Sequence, residues 1–400
     1  MGSTRLPSDS PAFAVSILAC LIAGLCSTVV VPALAENRKY EGSATDLQYA
    51  PSGFTAGKNT FAPTDYLTDN LSNNTLTISN TSGANDPTYV LGGYSASSAT
   101  TIEKNTVELT NGNVSSDIYG GYSASVNNIV TGNIVSISSG RADHDVYGGY
   151  SVSANNIVTG NTVSISGGSV TVGVTGGDNY SGNATGNTVN ISGGSVGGSL
   201  GRIYGGRSGS GNATNNTVNI SDGIVNTSGD VTGGHSNDSS ATGNIVNISG
   251  GSVGGFGGIT GGYGYSHATG NTVNISGGSV GTGNVGSVTG GRSDGNAAGN
   301  IVNVSDGSVS YGVTGGSSSS GHATGNTVNI SGGSVGTSGT GNVTGGSSGN
   351  GNGDATGNIV NISGGSLYSG VIGGNSWYGN GDATGHIVNI SGGSLYSGVT

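Results

Sequence analysis

Asn187-Thr188-Val189-Asn190-Ile191-Ser192-Gly193-Gly194-Ser195-Val196 decides how this chain reads, because versions of the stretch return from Asn74 almost to the last residue. Aligned on Asn-x-Val-x-Ile, copies begin at Asn74, Asn105, Asn133, Asn161, Asn187, Asn216, Asn244, Asn271, Asn300, Asn326, Asn358 and His386, twelve in all, at steps of about 28 residues. A fixed step that varies by only a few residues makes each copy one structural unit, with insertions confined between units.

A second landmark follows each core: Val90-Leu91-Gly92-Gly93, Ile118-Tyr119-Gly120-Gly121, Val174-Thr175-Gly176-Gly177, Val231-Thr232-Gly233-Gly234, Val313-Thr314-Gly315-Gly316 and Val371-Ile372-Gly373-Gly374. A unit therefore reads as a strand (Asn-Thr-Val-Asn-Ile), a Gly-Gly turn, a short Ser-Val strand and a variable loop. A short Val-Thr strand, a second Gly-Gly turn and an Ala-Thr-Gly corner complete it. No helix fits.

Val and Ile alternate with Asn or Thr, as in Val189/Ile191 and Val273/Ile275, which is the pattern of a half-buried strand. One unit has too few apolar residues to offset the cost of ordering it. Stacking units in register solves this by placing Val on Val and Ile on Ile while each strand pairs with the copies above and below. The predicted fold is all-β, a parallel β-helix of about twelve rungs, roughly 55 to 60 Å long at about 4.8 Å per rung. Asn190 and its equivalents Asn219, Asn247, Asn274, Asn303, Asn329 and Asn361 are expected to form a ladder on the strand face opposite Val and Ile. The Gly-Gly pairs are expected at corners, where positive φ suits glycine. Antiparallel hairpins in a prism or propeller are the alternative, though propeller blades need about 40 residues.

With 84 glycines in 400 residues and 7% charged residues the chain could be low-complexity disorder, but proline is scarce at six and the β-branched residues are periodic. A formal charge of −11 with nine Lys and Arg spread along the chain excludes a nucleic-acid footprint.

Residues 1–35 read as a secretory signal: Arg5, an apolar core from Ala12 to Val31, and Ala33-Leu34-Ala35 before Glu36 as a small-x-small cleavage site. An uncleaved membrane anchor is the alternative for this segment. Both cysteines, Cys20 and Cys26, lie inside it, so a chain beginning at Glu36 contains none. Residues 36–70, with Tyr40, Tyr49, Phe54, Phe61, Tyr66, Pro51 and Pro63, read as an N-terminal cap over the first rung. Residues 71–400 are the array. Its last copies, Gly353 to Ile372 and Gly381 to Thr400, differ only at Asn358/His386 and Ile372/Thr400. With no capping segment after Thr400, the array reads as truncated at its C-terminal end.

An export signal, a cysteine-free mature chain and rungs of the Asn-x-Val-x-Ile-Ser-Gly-Gly-Ser-Val type together resemble the passenger regions of bacterial autotransporter (type V secreted) proteins. The resemblance covers nearly all of the mature sequence and is one of architecture and composition. It implies a β-helix displayed at the outer membrane and a C-terminal β-barrel translocator. No such barrel lies in this sequence, so the chain reads as an N-terminal fragment. Trimeric-adhesin head repeats have about half this period, and the two halves of a unit here are unlike.

The candidate chemistry is sparse. Asp222 and Asp306 replace the first glycine of a Gly-Gly turn, and Asp354 and Asp382 precede Ala-Thr-Gly; these are read as turn residues. Arg141, Asp143, His144 and Asp145 form the one cluster that a carbohydrate-active β-helix enzyme could use. His235, His267, His322 and His386 stand singly, without metal-ligand spacing. Neither a Gly-x-Ser-x-Gly elbow nor a phosphate loop occurs, so no catalytic residue, cofactor or metal site is assigned. Calcium β-roll motifs are missing too. Tyr94, Tyr122 and Tyr150 recur at one position of successive units, with Tyr119, Tyr147 and Tyr204 beside them. They are expected to stack as a column that either binds a ligand, such as a glycan or a host-cell surface, or protects the glycine-rich corners. The expected function is that of an exported, surface-displayed structural or adhesive passenger without catalytic activity. The alternative is a carbohydrate-active or carbohydrate-binding β-helix protein.

Overall fold

The computed structural model describes residues 71–79, 90–198, 201–226, 229–254, 258–281, 286–337, 341–349, 352–377 and 380–400, and the backbone of 37–41. Segment 1–35 with its Ala35/Glu36 junction lies outside the described residues, as does most of 36–70. Among the described residues there is no helix, and hence none long and apolar enough to cross a membrane.

Among the described residues every strand pairing is parallel, and in the array the pairings join equivalent positions of successive units, so the fold is a parallel β-solenoid. One turn illustrates all of them. Thr188–Val196 runs along the longest face and bends at Gly193-Gly194, Ile203–Ser208 forms a second face, and Ala213–Thr214 a third. Thr217–Asn226 then lies on Thr188–Val196 with Val189 against Val218, Ile191 against Ile220 and Val196 against Val225. The chain winds because each Val or Ile can leave water only by meeting its own counterpart one turn away. Val189, Val218, Val246 and Val273 are all fully buried, as are Ile203 and Val174 from the second face.

The second and third faces each have 11 strands and so ten steps between rungs. The solenoid has about ten turns, fewer than the twelve expected, because a copy of the motif counts one strand while a turn needs all three faces. Ten steps of about 4.8 Å span roughly 48 Å. Within 36–70, Asn37–Glu41 pairs in parallel with Thr75–Ser79, Lys39 opposite Thr77, and so continues the longest face by one strand.

The glycines divide into two kinds. At the bend of the long face Gly194 has φ +73°, and at the Ala-Thr-Gly corner Gly186 has φ +64°, conformations that a Cβ disfavours. The Val-x-Gly-Gly pairs were expected at turns as well, but the strand runs straight through them: Gly205 and Gly206 lie within Ile203–Ser208. Their role is spatial. A Cβ on Gly205 would sit 2.4 Å from the Gly233 carbonyl oxygen of the next turn, and one on Gly206 would sit 2.2 Å from Oδ1 of Asn216. Asp222 and Asp306 behave as turn residues, each accepting the N–H of the following glycine at 2.7 Å.

Two asparagine ladders run along the array, the outer one only from Asn190 onward, since Ser136 and Ser164 hold that position in the two copies before it. The outer one is that of Asn190: Asn219 Nδ2 donates to Asn190 Oδ1 at 2.8 Å, Asn247 to Asn219 at 2.8 Å, and so on to Asn389 on Asn361 at 2.9 Å. The other is internal and is built from the residue that opens each copy. Asn187 and Asn216 are fully buried, as are their counterparts from Asn105 to Asn358. Oδ1 of Asn216 accepts both the backbone N–H of Asn187 at 3.0 Å and its Nδ2 at 3.1 Å, while Nδ2 of Asn216 donates to the Ala184 carbonyl at 2.9 Å and to Asn244 Oδ1 at 3.0 Å. Each of these amides is thereby satisfied, which burial in an apolar interior demands; Asn74, which opens the first copy, keeps a buried Oδ1 without a described partner. At the last copy His386 replaces asparagine. Its Nδ1 accepts the Asn358 N–H at 3.3 Å, its Nε2 is buried without a described partner, and burial lowers its pKa.

Candidate functional site: an aromatic column and an arginine cleft

The Val-x-Gly-Gly strands carry two outward columns. The first runs Leu91, Tyr119, Tyr147, Thr175, Tyr204; the second runs Tyr94, Tyr122, Tyr150, Asp178, Arg207, His235, Tyr263. The parallel register puts each side chain directly over its counterpart one turn away, so a residue type repeated at one position becomes a stack.

The tyrosines do stack. Tyr119 and Tyr147 lie 5.1 Å apart at 6°, Tyr122 and Tyr150 5.3 Å apart at 28°, and Tyr94 and Tyr122 5.8 Å apart at 19°. Tyr119 meets Tyr122 edge-on at 5.2 Å, and its hydroxyl donates to Asp117 at 3.0 Å. Accessibility divides the column. Tyr94, Tyr122 and Tyr119 are only 1%, 6% and 8% exposed, whereas Tyr147 and Tyr150 are half-buried. Burial, followed by nearby carboxylates, raises the pKa of Tyr119 and Tyr147, and that of Tyr150 to about 12, so all three stay neutral donors at physiological pH.

Where the tyrosines end, the same columns change character and a cleft of about 380 Å³ opens, lined by Asp145, Tyr147, Asp178, Arg202, Tyr204 and Arg207 with Val172 and Thr175. Nη1 of Arg207 lies 3.3 Å from Oδ2 of buried Asp178, and Nη1 of exposed Arg202 donates to the Tyr204 hydroxyl at 3.4 Å. Tyr204, His235 and Tyr263 continue the aromatic run beyond it, His235 and Tyr263 stacked at 4.7 Å. Burial pushes the His235 imidazole down to about 4, so it is neutral here. For Arg207, burial alone lowers the pKa, but the attraction of Asp178 and the neighbouring tyrosines outweighs it.

Of the Arg141 to Asp145 cluster only Asp145 reaches this cleft. Arg141 and Asp143 pair with each other, and His144 is exposed. Asp145 Oδ1 accepts the Gly173 N–H at 2.8 Å, and burial followed by Asp117 raises its pKa. Of the residues lining the cleft, Tyr204 was read from the sequence as standing beside the tyrosine column, but Arg202, Arg207 and Asp178 were not read as a site, because Asp178 lies one copy before the two arginines. The available signal was the residue after each Gly-Gly pair: read down the copies it gives Tyr, Tyr, Tyr, Asp, Arg, His, Tyr, an outward column rich in functional groups. Among the described residues no three His, Cys, Asp or Glu side chains converge as metal ligands.

Burial raises the Asp178 carboxyl from its ordinary 3.8 to about 6 despite the opposing pull of Arg207. Folding thus favours its protonated form. That contribution to stability is complete below the unfolded value near 4 and is lost as pH rises through about 6, a loss of roughly 3 kcal/mol at neutral pH. Asp178→Asn keeps the shape and removes the ionisation, at the expense of the Arg207 ion pair. It is expected to raise unfolding free energy at neutral pH by about 1–3 kcal/mol and to flatten the slope between about pH 4 and 7. Urea titrations at both pH values check this, and an unchanged slope would show that Asp178 ionises normally.

The fold and this outer face define a β-solenoid repeat protein with a stacked aromatic column leading into a mixed-charge cleft. No family model, curated protein or solved structure matches the chain.

Proposed function

We propose that this chain is an exported, surface-displayed β-solenoid, a structural and adhesive passenger of the autotransporter type without catalytic activity, whose contact surface is the accessible part of the tyrosine column. The observation that carries the adhesive part is the half-buried pair Tyr147 and Tyr150, their ring centroids 4.8 Å apart, with Tyr147 lining the cleft. Flat aromatic faces beside polar groups suit the apolar face and hydroxyl rim of a sugar ring. Export is supported by the segment around Arg5 and Ala33-Leu34-Ala35 and by the absence of cysteine after Cys26.

Tyr147→Ala/Tyr150→Ala is expected to reduce binding of the purified chain to host cells or to a glycan array by about tenfold or more, the loss typical of removing aromatic anchors. Melting curves confirm that the variant is folded. Full binding by a folded variant would remove the column from the function. For display, protease added to intact cells should cleave the array.

A carbohydrate-active enzyme is the second reading, favoured by one observation: Asp145 and Asp178, both with raised pKa, line a single cleft. Cleavage of polygalacturonate or a similar polymer would support that reading over the adhesive one.

A further inference from the structure

We infer that the cleft between Tyr147 and Arg207 is a binding subsite for an acidic sugar, a hexuronic acid residue held by its carboxylate on Arg202 and Arg207 and by its ring against Tyr147. The inference rests on the adhesive reading of this face and gives it a ligand class.

The chain has only nine Lys and Arg in 400 residues, yet two of them line this one cleft. Arg207 meets Asp178 through a single nitrogen, Nη1 at 3.3 Å, not through the two-pronged contact that saturates a guanidinium, and 40% of its side chain is exposed. Arg202 is exposed and meets the Tyr204 hydroxyl, a neutral group, at the long distance of 3.4 Å. Two planar forks with donors to spare at one opening suit a planar carboxylate. Half-buried Tyr147 forms an aromatic wall, and Asp145 and the Tyr204 hydroxyl are acceptors for ring hydroxyls. At about 380 Å³ the cleft holds one pyranose with room for its glycosidic neighbours.

The surroundings also set how binding responds to acid. Asp178 faces Arg207 from the next turn and Asp145 from the turn before, with Tyr147 and Tyr150 beside it; Arg207 in turn is near Tyr204 and neutral His235. Below about pH 6 Asp178 is protonated and its hold on Arg207 weakens, while an ordinary carboxyl, with a pKa near 4, is still ionised. Binding of the acid therefore tightens from about pH 7 to about pH 5.5.

The test titrates the full chain with a galacturonic acid trimer and with the same trimer after reduction of its carboxyl groups to alcohols. The expected result is a preference of about tenfold or more for the acid. Arg202→Gln abolishes this preference, while Arg292→Gln, farther along the Arg207 column and outside the cleft, leaves it unchanged. Loss of one charge-assisted contact corresponds to about tenfold or more. Equal binding of both trimers would overturn the acidic specificity and leave the adhesive reading standing. Binding of neither would overturn the subsite, with the cell-binding assay on Tyr147→Ala/Tyr150→Ala then deciding the adhesive reading separately. Displacement of the trimer by equimolar inorganic phosphate would also overturn it, since the cleft would then be reading charge alone.

Discussion

Asn216→Ala is expected to lower the free energy of unfolding by about 3–6 kcal/mol. The removed side chain is small, and lost apolar area contributes little. What matters is the set of partners left behind in a dry interior. The Asn187 N–H loses its acceptor, the Ala184 carbonyl loses its donor, and Asn244 Oδ1 loses one of the two amide hydrogens directed at it. Each buried orphan costs about 1–3 kcal/mol. Asn219→Ala removes the half-buried outer amide of the same turn, where water can replace the lost partners, and is expected to cost under about 1 kcal/mol. Urea unfolding followed by far-ultraviolet circular dichroism separates the two. If Asn216 and Asn219 proved equivalent, the internal ladder would not be what holds neighbouring turns together.

Gly206→Ala is the second large effect, expected at about 3 kcal/mol or more, because it attacks the same ladder from the other side. The added methyl would lie 2.2 to 2.6 Å from three side-chain atoms of Asn216, so the amide must leave its line. Overpacking alone costs about 1–3 kcal/mol, and the broken hydrogen bonds add to it. Gly186→Ala is the control. Its cost comes from φ +64° and is about 1–2 kcal/mol, since nothing lies within 4 Å of the added atom. A double-mutant cycle sharpens the claim: in the Asn216→Ala background Gly206→Ala should cost markedly less, because the clashing amide is gone. Additive costs would show that the glycine is required for some reason other than the ladder.

These two residues also show where the sequence was legible and where it was not. The alternation of Val189 and Ile191 is a local pattern with one physical reading, and it led to the strands, their parallel stacking and the outer Asn190 ladder. Asn187 was equally regular but gave no sign of its burial. Nothing in a local pattern reveals that a polar side chain points inward when its partners are 28 or 29 residues away. The Gly-Gly pair at 205 and 206 was ambiguous for the same reason. Glycine can be required by a backbone angle or by a neighbour's volume, and only the facing Asn216 tells which. The cleft was the least legible part. Asp178 and Arg207 are unlike residues in adjacent copies that a search for motifs within one unit treats as loop variation, and the parallel register alone brings them together.

That register also determines how the rod answers a mechanical load. Both ladders and all three faces join a given turn only to the turn on either side of it, so tension applied to the two chain ends has no long-range contact to break at once. Load concentrates on the outermost turn, which peels away before the next one feels it. Each event releases about 28 residues, roughly 95 Å of extended chain. An anchored solenoid of this design would lengthen under drag in a series of similar small yields, dissipating a pull in stages while the turns nearest the anchor keep their fold.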